Sequence, residues 1–209
     1  MLRRFVFTLP KLAKILLCVY SLTLVISNPL FAEEETEEIV TFTANPLYAF
    51  ADHLEEAKAQ VDVEDEVSVG VWKENRIEFP KLAERHHVKV AEGTFEGKKR
   101  SGIYFHPVKK GFKKIQFSNV PLGSQIQILY GLDDAAVEAH EEAAYVYLRI
   151  WIGNHMLKRI LIPNQKGWFF ETVSFGPAAF LNEKVVVAFD VFTDFPQDRH
   201  LYFQAAVVP

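Results

Sequence analysis

The stretch Ala144–Gly153, AYVYLRIWIG, decides the class of fold. Side chains of a strand alternate between its two faces, so Val146, Leu148, Ile150 and Ile152 point one way. Tyr145, Tyr147, Arg149 and Trp151 point the other way. A helical period would mix these two sets, whereas a strand separates an aliphatic face from an aromatic and polar one. Gly153-Asn154 then reads as a hairpin turn into Met156–Ile162. The same separation recurs downstream. In Lys184–Phe192, Val185, Val187, Phe189 and Val191 oppose Val186, Ala188, Asp190 and Phe192. In Leu201–Val208, Leu201, Phe203, Ala205 and Val207 oppose Tyr202, Gln204 and Ala206, with His200 just before the run. Strands of this kind build a sheet with one face in a core and the other partly open.

Working outward, further short β-rich runs are His87–Ala91, Gly102–His106, Lys113–Ser118, Gln125–Tyr130 and Trp168–Ser174. Pro107, Gly111, Pro121-Leu122-Gly123, Gly131, Pro163, Gly167, Gly176-Pro177 and Pro196 punctuate them. Regular short strands so punctuated predict a mainly β protein, an antiparallel β-sandwich occupying residues 86–209. Ahead of it, Asn45 as N-cap, Pro46 at the first helical position and apolar residues at helical spacing predict one α-helix from Pro46 to about Val61. Short strands at Val67–Trp72 and Arg76–Phe79 complete a segment 46–85 that packs on or leads into the sandwich. Asp133–Glu142 reads as a helical turn or a loop insertion.

The N-terminus has the pattern of a secretory signal over residues 1–32. Arg3, Arg4, Lys11 and Lys14 precede an apolar run from Ile15 to Ile26, and Asn28-Pro29 leads to a small residue at Ala32. The run is short of the ~20 residues of a bilayer span, so cleavage is expected, with no membrane span in the mature chain. Four of the 23 basic residues leave with it, so 177 residues remain with 19 bases against 27 acids, a net charge of −8. An acidic tether, residues 33–45, follows. The only cysteine, Cys18, also lies in the signal, which excludes disulfides and thiol chemistry from the mature chain. The acidic balance argues against nucleic acid as a partner. The expected location is the periplasm or the extracellular space.

Residue patterns for catalysis are missing. No G-x-S-x-G elbow occurs, consecutive His86-His87 face opposite ways on a strand, and His140 and His155 have no H-x-x-x-H companion. No metal and no cofactor is expected. Asp133-Asp134, with Glu138, His140, Glu141 and Glu142, forms an acidic cluster that reads as a solvated loop, or less favourably as a metal site without calcium-loop spacing. Glu171, Asp190 and Asp194 leave open a pair of carboxylates for glycan hydrolysis. The sharpest constellation is the ladder Tyr145, Tyr147, Arg149, Trp151, since aromatic faces take up sugar C–H faces and arginine pairs with hydroxyls or a uronate. Tyr104, His106, Asp190, Tyr202 and Gln204 join it if their strands are neighbours. Substitution of Trp151 or Arg149 by alanine is expected to weaken glycan retention and to leave the fold intact. The alternative is that residues 46–79, or a partner, cover this face.

Gly102-Ile-Tyr-Phe-His106-Pro, Ile115-Gln-Phe117 and Leu129-Tyr-Gly-Leu-Asp133-Asp134, followed by Val146–Gly153, resemble the carbohydrate-binding module found beside family 98 glycoside hydrolases. Ile103–Pro107 and Val120–Gly123 are also similar to patterns of exported domains attached to bacterial membrane glycosyltransferases. The resemblance covers roughly Phe95 to Val208. It implies a galactose-binding-like jelly roll that binds sugar, and a structural role for the second Asp of the Gly-x-Asp-Asp turn, accepting backbone donors. The sequence thus predicts an exported, non-catalytic β-sandwich that binds glycan or another envelope ligand. Its alternative is an envelope protein–protein interaction or assembly module.

Overall fold

The computed structural model describes residues 41–42, 45–64, 66–139, 145–175 and 184–209, all within the unit Val40–Pro209. The signal, most of the acidic tether and the 140–144 part of the acidic cluster lie outside the described residues. In chain order the strands are β1 (Tyr48–Ala49), β2 (Lys58–Val63), β3 (Glu66–Val69), β4 (Val71–Lys73), β5 (Arg76–Glu78), β6 (Val88–Phe95) and β7 (Lys98–Phe105). They continue with β8 (Gly111–Pro121), β9 (Gln125–Leu132), β10 (Val146–Ile152), β11 (His155–Ile162), β12 (Phe169–Ser174), β13 (Lys184–Thr193) and β14 (Leu201–Val208). One short helix, α1, spans Asp134–Glu138, and 3-10 turns cover Phe50–Glu56 and Glu84–His86.

Two antiparallel sheets result. The first has the order β12-β9-β14-β7-β6-β5-β4, with β1 also paired to β14, and the second has the order β11-β10-β13-β8-β2-β3. Their facing sides form one core. Val146, Leu148 and Ile150 of β10 are fully buried there, as are Val187, Phe189 and Val191 of β13 and Ile115 and Phe117 of β8. Leu201, Phe203, Ala205 and Val207 of β14 meet them from the other sheet, with Phe189 and Phe203 ring centroids 5.1 Å apart. Full burial of side chains this size contributes about 1.5–3 kcal/mol each. The inward set in β10, β13 and β14 is the aliphatic set that period two predicts. Gly153-Asn154 is the two-residue turn of the β10–β11 hairpin, with φ of +54° at Gly153.

The segment before the sandwich is a correction. No α-helix runs from Pro46 to Val61. Leu47 N donates to Val207 O at 2.8 Å, which holds the chain extended through β1. Ala49, at the N-cap of the following turn, offers no side-chain acceptor, and the turn is 3-10 with a kink at His53. Helical spacing survives only in Phe50 and Leu54, which are buried between the sheets. Phe50 reaches Phe117 and Phe189 of the second sheet at 5.0 and 4.9 Å. From Lys58 the alternation of Ala59 and Val61 against Lys58 and Gln60 prevails, because pairing with β8 satisfies backbone groups that an isolated helix end would leave open. Gly70 then carries the chain from one sheet to the other between β3 and β4. A Cβ there would lie 2.3 Å from Ile77 Cγ2, so the corner requires glycine.

Candidate functional site

The outer face of the second sheet gathers the ladder. Strand pairing places Arg159, Arg149, Asp190, Lys114 and Gln60 in one row across five strands, β11 to β2. A neighbouring row holds Leu161, Tyr147 and Phe192, and Trp151 stands on the other side. Asp190 is 2% exposed, and its two oxygens accept from Arg149 Nε at 2.5 Å and Trp151 Nε1 at 2.8 Å. A buried carboxylate needs such charge-assisted partners.

The rings and cations of this face interleave. The Arg159 guanidinium lies 4.7 Å from the Tyr147 ring centroid, and Tyr147 stacks on Phe192 at 4.9 Å and 15°. Arg149 lies 4.8 Å from Phe192 and 5.4 Å from Trp151, and Lys114 Nζ lies 5.6 Å from Trp151. All of these are cation–π distances. Tyr145 is the outlier, 58% exposed and 6.4 Å from Tyr147 at a tilt of 37°. Residues 46–79 do not lie over this assembly. Strands β2 and β3 extend the same sheet beyond β8, β4 and β5 extend the other, and Phe50–Leu54 fills the space between the sheets.

Tyr104, His106, Tyr202 and Gln204 are not part of the ladder, because β7 and β14 belong to the first sheet. On its outer face Tyr202, Tyr104 and Lys89 share a row. Gly131, opposite Tyr202, has no side chain, and Phe95 fills that place: a Cβ at Gly131 would come within 3.0 Å of the Phe95 ring. Phe95 meets Trp168 at 4.5 Å and Tyr202 at 5.6 Å, and Tyr104 meets Tyr202 at 5.2 Å. These tyrosines are therefore a small second core, and burial raises their hydroxyl pKa values. Their edges line a shallow groove of about 360 Å³ with Arg85, Lys89, Glu92 and His200. Gln204 Nε2 donates to Ser101 O at 2.7 Å where β14 and β7 diverge.

His106 is 3% exposed, with the rings of His86 and His200 at 5.0 and 5.5 Å. Lys113 is fully buried beside it and donates to His86 O at 2.7 Å. Its Nζ lies 5.5 Å from the Phe105 ring and 5.9 Å from Phe79. Burial, reinforced by Lys113, lowers the pKa of His86 from 6.5 to about 4 and that of His106 to about 3. Burial also holds Lys113 well below the usual lysine range. Nearby, Arg199 Nη1 donates to Asn164 Oδ1. Among the described residues no group of three or more His, Asp or Glu side chains is arranged to hold a metal.

Asp133, Asp134, Glu171 and Asp190, four of the carboxylates that sequence singled out, have structural partners. Asp133 caps α1 by accepting from Ala135 N at 3.0 Å and accepts from Thr94 N at 3.2 Å. Asp134 accepts from Glu96 N and Gly97 N, both at 2.9 Å, which ties down the β6–β7 turn. Glu171 pairs with Lys158 at 3.6 Å and belongs to the first sheet, whereas Asp190 is held under Arg149 and Trp151 in the second. Sequence reading missed Arg159, Lys114 and Phe192 as members of the ladder. Their strand parity was legible, but the pairing of β8, β11 and β13 with β10 was not.

No family model and no curated protein matches the chain. Solved structures give distant likenesses. One is a family 51 carbohydrate-binding module from the family 95 glycoside hydrolase of Clostridium perfringens, in complex with methyl-galactose. It is 17% identical with a TM-score of 0.39, over 57% of this chain and 81% of that one. Another comprises the tandem family 51 modules of the Streptococcus pneumoniae family 98 glycoside hydrolase, 14% identical with a TM-score of 0.38. That match covers 58% of this chain and 37% of the other. A third is a cyclase from Fischerella sp. TAU, 10% identical with a TM-score of 0.37, over 83% of this chain and 94% of that one. At these identities and scores the likenesses assign neither a family nor a ligand.

Proposed function

We propose that the protein is an exported, non-catalytic β-sandwich, galactose-binding-like in kind, that binds carbohydrate or another cell-envelope ligand on the outer face of its second sheet. The observation that carries this reading is the aromatic and cationic ladder standing on a face that residues 46–79 leave uncovered. Export rests on the basic, apolar and small-residue succession of residues 1–32. Among the described residues no helix is long and apolar enough to cross a membrane.

Tyr145 is the residue to substitute, because it is exposed and its loss leaves no buried group unpartnered. Tyr145→Ala is expected to weaken glycan retention about fivefold, the worth of one aromatic contact of roughly 1 kcal/mol, with an unchanged Tm. Affinity electrophoresis of the full chain against a panel of soluble glycans measures this. If the unaltered protein is not retarded by any glycan at millimolar concentration, the reading fails. The face would then belong to the second function that its chemistry fits, docking of an envelope protein.

A further inference from the structure

We infer that the ligand of the ladder face is a polyanion, a saccharide chain bearing carboxylates. This rests on the reading of that face as a glycan site and names the class of glycan. The Tyr147 ring has Phe192 and Arg159 against it, Phe192 has Tyr147 and Arg149, and Trp151 has Arg149 and Lys114. A neutral sugar held by stacking needs a free aromatic face, and only Tyr145 stands clear of this interleaving. Apart from the exposed apolar side chains of Leu161 and Met156 on β11, ring edges and cationic heads are what the ladder residues present. Aromatic edges carry partial positive charge, so both favour an anion.

The charges are arranged in a line. Arg159, Arg149 and Lys114 share one row, and Lys58 stands on β2 in the next row. Three strand spacings of ~4.8 Å separate the outermost of the first three, a span of about 14 Å. Asp190, the carboxylate within the row, is buried and bonded to Arg149 and Trp151, so it offsets the Arg149 charge and leaves Arg159 and Lys114, at the two ends of the span, as the uncompensated cations of the row. Neither Lys114 nor Arg159 has a carboxylate partner among the described residues. Other acids of the face stand apart from the row, Asp62 near the end of β2 and Asp194 just after β13. This cationic line belongs to a chain with 27 acids against 23 bases, where chance would favour the opposite sign. A row of cations of this length suits repeated charges along a polymer better than one charge on a small molecule, and arginine pairs well with carboxylate.

The test is affinity electrophoresis of the full chain in polygalacturonate, alginate and hyaluronan. Methyl-esterified polygalacturonate serves as the uncharged form of the same polymer, and dextran sulfate as a carboxylate-free polyanion. Expected is retention by at least one uronate polymer, falling tenfold or more on esterification and in Arg159→Gln/Lys114→Gln. Lys99→Gln/Lys109→Gln removes the same charge elsewhere and is expected to bind like the unaltered protein, and all variants keep their Tm. Equal retention by the esterified polymer, equal loss in the control variant, or equally tight binding to dextran sulfate overturns the inference and leaves glycan binding standing. Absence of retention by these polymers together with retention by a neutral glycan has the same consequence. If no glycan of either charge is retained, the proposed function falls with it.

Discussion

Asp190 shows how a residue's meaning depends on partners that sequence does not name. Its outward parity on β13 was legible, and so was that of Arg149 and Trp151 on β10. The register that brings Arg149 opposite Asp190 was not, since pairing of strands 41 positions apart leaves no local signature. The consequence reverses an expectation: Arg149 is not free to be removed. Arg149→Ala strips one oxygen of a carboxylate that is 2% exposed, and is expected to destabilise the fold by about 2–4 kcal/mol in urea denaturation. Asp190→Ala leaves the guanidinium of an Arg149 side chain that is 25% exposed and can turn to water, so its cost is expected to be smaller, about 1–2 kcal/mol. It should also shift Trp151 fluorescence as the indole N–H loses its acceptor. Equal effects of the two substitutions would argue that the pair is solvated rather than buried.

Among elements, the strands were the most legible part of the molecule and the 46–61 segment the least. Nine runs from His87 onward reappear as β6 to β14 with ends moved by a few residues, because alternation over six to eleven positions is a strong signal. At Pro46–Val61 two periods compete: Phe50 and Leu54 fit a helix, Ala59 and Val61 fit a strand, and the open edge of β8 settles the second half. The Gly131–Asp134 turn lies between these extremes. Its residues alone read as a solvated acidic loop, and only the family resemblance implied an acceptor of backbone donors; Asp134 takes two from the β6–β7 hairpin, Glu96 N and Gly97 N. Glu96 and Gly97 both have positive φ, +51° and +75°, as a tight two-residue turn demands. Asp134→Ala is expected to cost about 1 kcal/mol, and to speed amide exchange at Glu96 and Gly97 more than at strand centres. Exchange unchanged at those two amides would show that the turn holds without its acceptor.

At the scale of the whole molecule, the buried basic cluster links stability to pH. His86 ends the 3-10 turn Glu84–His86, His106 follows β7, Lys113 lies on β8 and His200 precedes β14, so four separate segments converge. Arg85 and His87 stand beside them, with Arg76, Glu78 and Glu84 facing His87. Sequence showed each residue, and the parity of Ile115 and Phe117 even points Lys113 inward, but convergence requires the sheet order. In the folded state His86 and His106 resist protonation until about pH 4 and about pH 3, whereas in the unfolded chain both protonate near 6.5. Between these values the unfolded state binds more protons, so stability is full above pH 6.5 and falls as pH drops toward 4. After allowance for the partial exposure of His86, the loss is on the order of a few kcal/mol, equivalent to a fall in Tm of roughly 10 °C. Lys113 acts in the same direction at higher pH, losing stability as pH falls below its ordinary 10.5. The measurement is Tm between pH 4 and 7.5 for the unaltered chain and for His106→Leu, which removes one depressed group. The variant is expected to be less stable at pH 7.5 through altered packing, yet to show a shallower slope between pH 4 and 6.5. A parallel slope would place the acid sensitivity of the fold in its carboxylates rather than in this cluster.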